Sequence, residues 1–358
     1  MTAKALQTML CLSSWRASMS IFNLSTAWVL AELSPSPMIN SLLILPRSIS
    51  AILPLQRSRR GLFFFTIAAI LFEVVVIGMY FDFGNKAALI FLTFFSAQLA
   101  SLGITKSDAV IIGFTQTSEG ITNQQVLQGK DIGGVTGTFL GGIIYPAFKL
   151  LPPTLLLMLP VAWLADRENK KQSQASPNQT EIKKGVPPLE RWSLLNGLVD
   201  GALFSLLPLW VLQIKGGDSV DLSWIIGSFM LGRVFQKRLL LKMKTASYYG
   251  LCAILIFLAA HPNTPIWLDV VLFMPLGASI ARIQLELVDH LHSYGNPARR
   301  FDIIGRSNTI AGVFGGLAMG VTGELFGIRE ALGLLAIAFA GVGLASWRWQ
   351  RPVPSNQT

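Results

Sequence analysis

Runs of about twenty apolar residues, separated by short polar breaks, recur along the whole chain. The clearest extends from Gly61 to Tyr80 and contains one charged residue, Glu73. A helix needs about 20 mostly apolar residues to cross a hydrocarbon core of about 30 Å. This criterion predicts an all-α integral membrane protein with twelve spans, near residues 16–33, 37–55, 61–80, 86–104, 132–148, 151–165, 192–213, 222–236, 245–260, 266–287, 308–325 and 330–347.

Polar side chains dilute the first and the tenth of these runs. Arg16, Asn23 and Ser25 fall in the first, and Arg282 and Glu286 fall in the tenth. A count of ten or eleven spans is therefore the alternative to twelve.

A hydrophilic stretch at 166–191 divides the runs into two sets of six. It is rich in Lys, Gln, Ser and Pro, and it cannot bury enough apolar surface to fold alone. We therefore predict a six-helix half at 1–165, a flexible cytoplasmic linker at 166–191, a second six-helix half at 192–347 and a cytoplasmic tail at 348–358.

Short motifs repeat between the two halves at a spacing of about 180 residues, as in the duplicated folds of transporters. Trp-Val-Leu at 28–30 returns at 210–212, and Gln followed by a basic residue at 56–57 returns at 236–237. Three glycines four apart also recur, and this spacing lets helix backbones approach closely in lipid. We predict helix packing at these glycines: Gly133, Gly137, Gly141, Gly312, Gly316 and Gly320.

The composition excludes a soluble domain and argues against a nucleic-acid partner. Of 358 residues, 52% are hydrophobic and 13% are charged, whereas soluble domains carry about 25% charged residues. The net charge of +10 comes from short basic clusters between apolar runs, not from one soluble face. Two distant cysteines and three histidines cannot assemble a metal site, so we expect no metal and no cofactor.

The basic residues also predict the orientation in the membrane. With twelve spans, and with Arg16 and Lys86 at the span edges counted with the loops, 22 of the 29 Lys and Arg fall on the side of the N-terminus, four fall on the other side, and three lie within spans. Cytoplasmic loops carry the excess of positive charge. Both termini are therefore predicted to be cytoplasmic, in a multi-pass protein of a bacterial-type inner membrane.

With this layout the chain resembles the major facilitator superfamily, which has six plus six helices and basic loops after helices 2 and 8. The resemblance covers about residues 16–347. It is strongest from Ser34-Pro35-Ser36-Pro37 to Arg60, which is similar to exporter-like members, and from Gly305-Arg306 to Gly320. It implies a transporter fold that binds a small molecule; we expect a monomer.

The loop motif of that family is incomplete in this chain. The family's loop after helix 2 follows G-x-x-x-D-R-x-G-R-R, whose Asp helps to lock the inward-closed state. Here Gln56 stands where Asp is expected, and the counterpart that begins at Gly232-Arg233 also lacks Asp. The basic residues of the two motifs are Arg57, Arg59, Arg60, Lys237 and Arg238.

Ionisable residues within spans are costly and mark functional sites by default. Arg47 lies about ten residues into the second span and Asp200 about eight into the seventh, depths of about 15 and 12 Å. The resemblance places helices 1, 4, 7 and 10 around a central cavity and helices 2, 5, 8 and 11 between the halves. Asp200 then faces the pathway and Arg47 can approach it. Either Asp200 takes up and releases a proton, with its pKa tuned by the nearby charge of Arg47, or the two form a static structural pair.

Two further sets of polar residues are candidates for the pathway. Arg282 and Glu286 are four apart and share a helix face, as a local pair or as a cytoplasmic gate. Asn23, Gln98 and Asn196 are candidates for an amphipathic pocket. Trp28 and Trp210 could join them, although an interfacial aromatic belt is the favoured interpretation for both tryptophans.

No combination of nucleophile, acid and base is evident, so no enzymatic activity is predicted. The layout and the few charges predict a secondary transporter that exports a small amphipathic solute with proton coupling. The missing loop Asp residues motivate an alternative, a protein of the same fold that does not transport and acts as a pigment or protein assembly factor.

Overall fold

The structure is a computed structural model that describes residues 3–52, 61–117, 123–147, 188–240, 243–291 and 297–349. These residues form helices joined by short connections, which confirms the all-α prediction. In chain order the helices are α1 Ala3–Leu33, α2 Pro37–Ser41, α3 Ile44–Ile52, α4 Gly61–Tyr80, α5 Lys86–Thr117, α6 Asn123–Ala147, α7 Arg191–Ser205, α8 Ser219–Leu239, α9 Thr245–Ala259, α10 Ile266–His290, α11 Pro297–Phe326 and α12 Ile328–Trp349.

Eleven of the predicted spans overlap described helices, and the remaining one, 151–165, lies outside the described residues. The twelve-span count therefore stays a prediction. Within the described ranges, six helical segments are long and apolar enough to cross a membrane: Phe63–Tyr80, Lys86–Gly103, Arg191–Ile214, Ile266–His290, Ile303–Phe326 and Ile328–Trp347. The chain is thus an integral, multi-pass membrane protein. The linker prediction also lies outside the described residues, apart from 188–191.

Prolines interrupt two of the runs that the sequence predicted as continuous helices. The run 37–55 is split at Leu42, four residues before Pro46. The run 192–213 breaks at Leu206, between α7 and a short segment that holds Pro208 and the π-helical turn Trp210–Ile214. Proline lacks an N–H and its ring clashes with the carbonyl four residues earlier, which accounts for both breaks.

The first glycine ladder packs α6 directly against α1. An added Cβ at Gly133 would lie 2.7 Å from the Cα of Ser13, and one at Gly137 would overlap the backbone of Ala17. Gly141 continues the row beside Ile21, where the corresponding distance to Cα is 3.2 Å. Both helices advance by four residues per contact, so small residues allow the two backbones to meet.

The second ladder has a different neighbour. Gly316 lies beside the Ile44 side chain, and Gly320 lies against Ser41, so these glycines face α3 and α2. The close backbone approach of α7 to α11 is made instead at Gly197, whose added Cβ would overlap Asn308, and at Gly201, opposite Gly312. The second ladder therefore has the matched helix partner, α7, at Gly312, whereas Gly316 and Gly320 have different partners.

Helix pairs nevertheless recur along the chain. The α1–α6 contact has a counterpart in α7–α11, α3–α5 in α8–α10, and α4–α5 in α9–α10. Helices on opposite sides of the predicted linker meet where α6 packs on α8 and where α2 and α3 pack on α11. These last two contacts bring residues far apart in sequence into the same interior.

Candidate substrate and ion pathway

A chain of polar side chains crosses the helix bundle through α6, α8, α10 and α7. The Arg233 Nε donates a hydrogen bond to Asp131 Oδ1 at 3.4 Å, and its Nη2 donates to Gln284 Oε1 at 2.9 Å. The Gln284 Nε2 in turn donates to Asp200 Oδ2 at 3.3 Å. Two carboxylates, one guanidinium and one amide are thereby connected between predicted halves of the protein.

Close helix crossings position these groups. Gly232, next to Arg233, lies against the backbone of Met274, and Gly277 lies against the backbone of Phe229, so α8 and α10 cross without side chains between them. Gly134 faces Met230 across the α6–α8 contact, its added Cβ 3.6 Å from the sulfur. Residues near each crossing are within hydrogen-bonding reach because glycine keeps the helices close.

The ion pair is largely removed from solvent, and it fixes the orientation of the amide. The side chains of Arg233 and Asp131 are 17% and 18% exposed. Gln284 directs its only acceptor to the guanidinium and a donor to the Asp200 carboxylate, and this orientation satisfies both charges. Gln284 therefore joins Arg233 to Asp200 through two hydrogen bonds, with no direct contact between the two charges needed.

A second polar contact lies one helical turn before Asp200 on α7. The Tyr249 hydroxyl donates to Asn196 Oδ1 at 3.1 Å, and both residues are buried. The Asn196 Nδ2 has no hydrogen-bond partner among the described residues. Asn196 and Asp200 are four apart and so share a helix face. A buried donor next to a carboxylate suits a solute that carries a hydrogen-bond acceptor.

The other predicted pathway residues are dispersed. The Arg47 side chain lies outside the described residues, so its pairing with Asp200 stays a prediction. The Gln98 Nε2 donates to the Ser50 hydroxyl at 3.1 Å and joins α5 to α3. Asn23 is exposed on α1 between the buried residues Phe22 and Leu24.

Arg282 and Glu286 make separate contacts in the structure. The Arg282 Nη2 donates to the Leu240 carbonyl at 3.3 Å, and Glu286 accepts a hydrogen bond from the Thr245 hydroxyl. Together they hold the connection from α8 to α9.

Of the basic residues in the two loop motifs, Arg238 is exposed. The side chain of Lys237 lies outside the described residues, and so do the whole residues Arg57, Arg59 and Arg60.

Sequence reasoning missed a buried ion pair next to the π-helical turn. The Lys215 Nζ lies 2.9 Å from Asp269 Oδ2, and the two side chains are 1% and 0% exposed. Lys215 also donates to the carbonyls of His261 and Thr264, at 3.0 and 2.9 Å, and lies over the Trp210 ring. In the sequence, Lys215 counts only as one of the four basic residues on the side opposite the N-terminus, because no local pattern distinguishes a loop lysine from a buried one.

The two tryptophans are buried within the protein. Trp28 is 3% exposed and Trp210 is 1% exposed, and both belong to one buried apolar cluster. The belt interpretation is therefore wrong, because belt residues contact the lipid headgroups and these two side chains are enclosed by protein.

Solved structures of membrane transporters match the chain over nearly its full length. A bacterial homologue of the iron transporter ferroportin, in an inward-facing state, shares 14% identity, covers 98% of this chain and 100% of its own, and has a TM-score of 0.68. A bacterial metal transporter matches at 13% identity, with 98% and 99% coverage and a TM-score of 0.66. A D-xylose-proton symporter matches at 12% identity, with 96% of each chain covered and a TM-score of 0.59.

These similarities establish a fold of the major facilitator type, as the sequence resemblance predicted. The matched proteins are transporters and not enzymes. No protein-family model and no curated protein matches the chain. Among the described residues, no three His, Cys, Asp or Glu side chains come together as a metal site.

Proposed function

We propose that the chain is a secondary transporter that exports a small amphipathic organic solute in exchange for protons. The observation that carries the proposal is the polar chain from Asp131 through Arg233 and Gln284 to Asp200, inside a fold of the major facilitator type. Ionisable side chains at membrane depth are costly, and those that persist mark ion or substrate pathways.

Asp200 is the proposed proton acceptor. As a carboxylate it accepts from Gln284, which holds the Arg233 guanidinium toward α10. A proton on Asp200 removes its charge and weakens this hydrogen bond, because charge-assisted hydrogen bonds are the stronger ones. Arg233 then shifts its interaction toward Asp131, across the α6–α8 contact. Protonation in the pathway is thereby coupled to the contact between the halves. Arg47 is the proposed second partner of Asp200.

The surroundings of Asp200 favour a solute that is mostly apolar. Asn196 and Tyr249 supply an amide and a phenol, and Val199 and Cys252 are fully buried nearby on the same helices. Ligand sites commonly combine an apolar lining with a few polar groups that set orientation. We propose that the solute places an acceptor group against the Asn196 amide, on the face of α7 that also carries Asp200.

In this proposal the two six-helix halves move against each other and expose the site to one side of the membrane at a time. The recurring helix pairs α1–α6 and α7–α11 support the two-half arrangement, with α6–α8 and α2–α3–α11 as the moving contacts. Transporters with internal repeats expose a central site by rocking one repeat against the other. A monomer with cytoplasmic termini is sufficient for this mechanism.

One feature favours a second candidate, a protein of this fold that assembles pigments or proteins. Gln56 occupies the loop position at which the transporters resembled here have a locking Asp. A chain that does not alternate between states has no need of that lock.

Solute-stimulated proton flux tests the two candidates. The purified chain is reconstituted into liposomes that enclose a pH-sensitive dye, and neutral, cationic and anionic amphipathic solutes are added in turn. We expect proton movement with at least one class of solute and none in protein-free liposomes. Absence of flux with every class would contradict the transporter and favour the assembly factor.

A further inference from the structure

The connection between α1 and α2 is held by a carboxylate on a distant helix. Glu324, two residues before the end of α11, accepts a hydrogen bond from the Ser36 hydroxyl at 2.7 Å through Oε2. The same oxygen accepts from the backbone N of Met38 at 3.2 Å. Gln213 lies within the π-helical turn, and its Nε2 donates to the Pro35 carbonyl at 3.2 Å. We call Glu324, Ser36 and Met38 the clasp.

The local sequence brings the clasp together. An added Cβ at Gly323 would lie 2.9 Å from the Cβ of Pro37, and one at Gly320 would overlap Ser41, so α11 rests on α2 where its side chains are smallest. The first turn of a helix leaves its N–H groups unpaired. Ser36 caps Ile39, and Glu324 supplies the acceptor for Met38.

The position of Glu324 is unfavourable for its own helix. A negative charge in the last turn opposes the helix dipole, which favours cations there by about 0.3 to 1 kcal/mol. The described contacts of the carboxylate are with α2 and its preceding residue, and not with α11. Glu324 therefore contributes to the contact between helices and not to the stability of α11 alone.

Apolar packing closes the bundle next to the clasp. Trp28 and Ala31 near the end of α1 share one buried cluster with Leu207 and Val211 of the segment that follows α7. Val211 is fully buried, two residues before Gln213. Ser36 and Met38 follow α1 directly, and Glu324 lies on α11, which packs on α7 just before 207–214. Separation of α1 and α2 from α7, α11 and 207–214 therefore requires the clasp to open.

We propose that the clasp holds this end of the pathway shut and has to release for it to open. The inference rests on the proposed function only in calling the interior a pathway. The two hydrogen bonds to Glu324 bias the population toward the closed state, because they form only when α11 and α2 are in contact.

Reactivity of a buried cysteine tests the clasp without any solute. Val211→Cys is introduced after Cys11→Ser and Cys252→Ala, and its labelling rate by a maleimide is measured in detergent micelles. We expect Glu324→Ala to raise the rate roughly ten-fold, because it removes two solvent-exposed hydrogen bonds that each contribute about a factor of three. Glu330→Ala, an exposed carboxylate in the first turn of α12, is the matched control and should leave the rate unchanged.

Two further variants keep the test decisive. Ala31→Cys replaces the reporter if Val211→Cys does not fold, since Ala31 belongs to the same cluster. Glu324→Gln keeps an acceptor oxygen without the charge and should raise the rate by a smaller factor, about three-fold. Equal labelling rates in Glu324→Ala and Glu330→Ala at the reporter would overturn the clasp.

The transport assay separates this inference from the proposed function. Faster labelling in Glu324→Ala, with no solute-stimulated flux in the unmodified chain, would leave the clasp in place and contradict the transporter. Solute-stimulated flux with unchanged labelling would support the transporter and contradict the clasp.

Discussion

Arg233 on α8 and Asp131 on α6 form an ion pair, Nε to Oδ1 at 3.4 Å, between helices that lie on opposite sides of the predicted linker. The pair is one end of the polar chain that reaches Asp200 through Gln284. A contact of this kind links the relative position of two helices to the charge of a group elsewhere in the bundle.

We expect the two members of this pair to be energetically coupled. Arg233→Gln or Asp131→Asn alone should lower the free energy of unfolding by about 1.5 to 3 kcal/mol, since each leaves a charged hydrogen-bonding group without its partner. The double substitution should cost less than the sum. Thermal unfolding of the four proteins in detergent measures the coupling, and strict additivity would contradict the pair.

The glycines should differ in their sensitivity to a large side chain. Gly137→Leu meets the backbone of Ala17, whereas Gly316→Leu meets the movable side chain of Ile44 at 3.2 Å. We expect the larger loss of folded yield in Gly137→Leu, because overpacking against backbone cannot be relieved by a rotamer change. An added Cβ at Gly250 would meet nothing within 4 Å, so Gly250→Leu is the control. Equal yields of all three variants would show that the first ladder is incidental.

The buried pair Lys215–Asp269 should be structural and separable from transport. Lys215→Met alone leaves an uncompensated buried carboxylate and should cost about 3 to 5 kcal/mol. The double variant Lys215→Met with Asp269→Leu should recover most of this loss, because burying two apolar groups has no desolvation penalty for charge. Unfolding midpoints measured by differential scanning fluorimetry give the answer, and a double variant no more stable than the single one would contradict the pair.

The sequence predicts cytoplasmic termini from the distribution of its basic residues. Reporter fusions after Thr358 and in the linker near Asn178 should both report a cytoplasmic location. Opposite locations would contradict an even number of spans, and with it the prediction of two six-helix halves.

Apolar runs were sufficient to predict most of the helices, because hydrocarbon length fixes the length of a span. The breaks before Pro46 and after Ser205 were predictable in principle from proline chemistry, since each proline lies inside an apolar run. The pairs Arg233–Asp131 and Lys215–Asp269 were not predictable, because hydropathy gives no information about which helices touch. The partners of the second glycine ladder were missed for the same reason.

The central claim is that Asp200 couples solute movement to protons. Asp200→Asn removes the titrating group while keeping a similar shape, so proton-driven solute accumulation in liposomes should be lost. Exchange of labelled for unlabelled solute should persist, because exchange needs binding and alternation but no net proton transfer. The control is Asp82→Asn, at an exposed turn with φ of 49° that Asn also adopts readily. Accumulation in Asp200→Asn equal to that in Asp82→Asn would contradict the claim, and its loss with exchange retained is the predicted result.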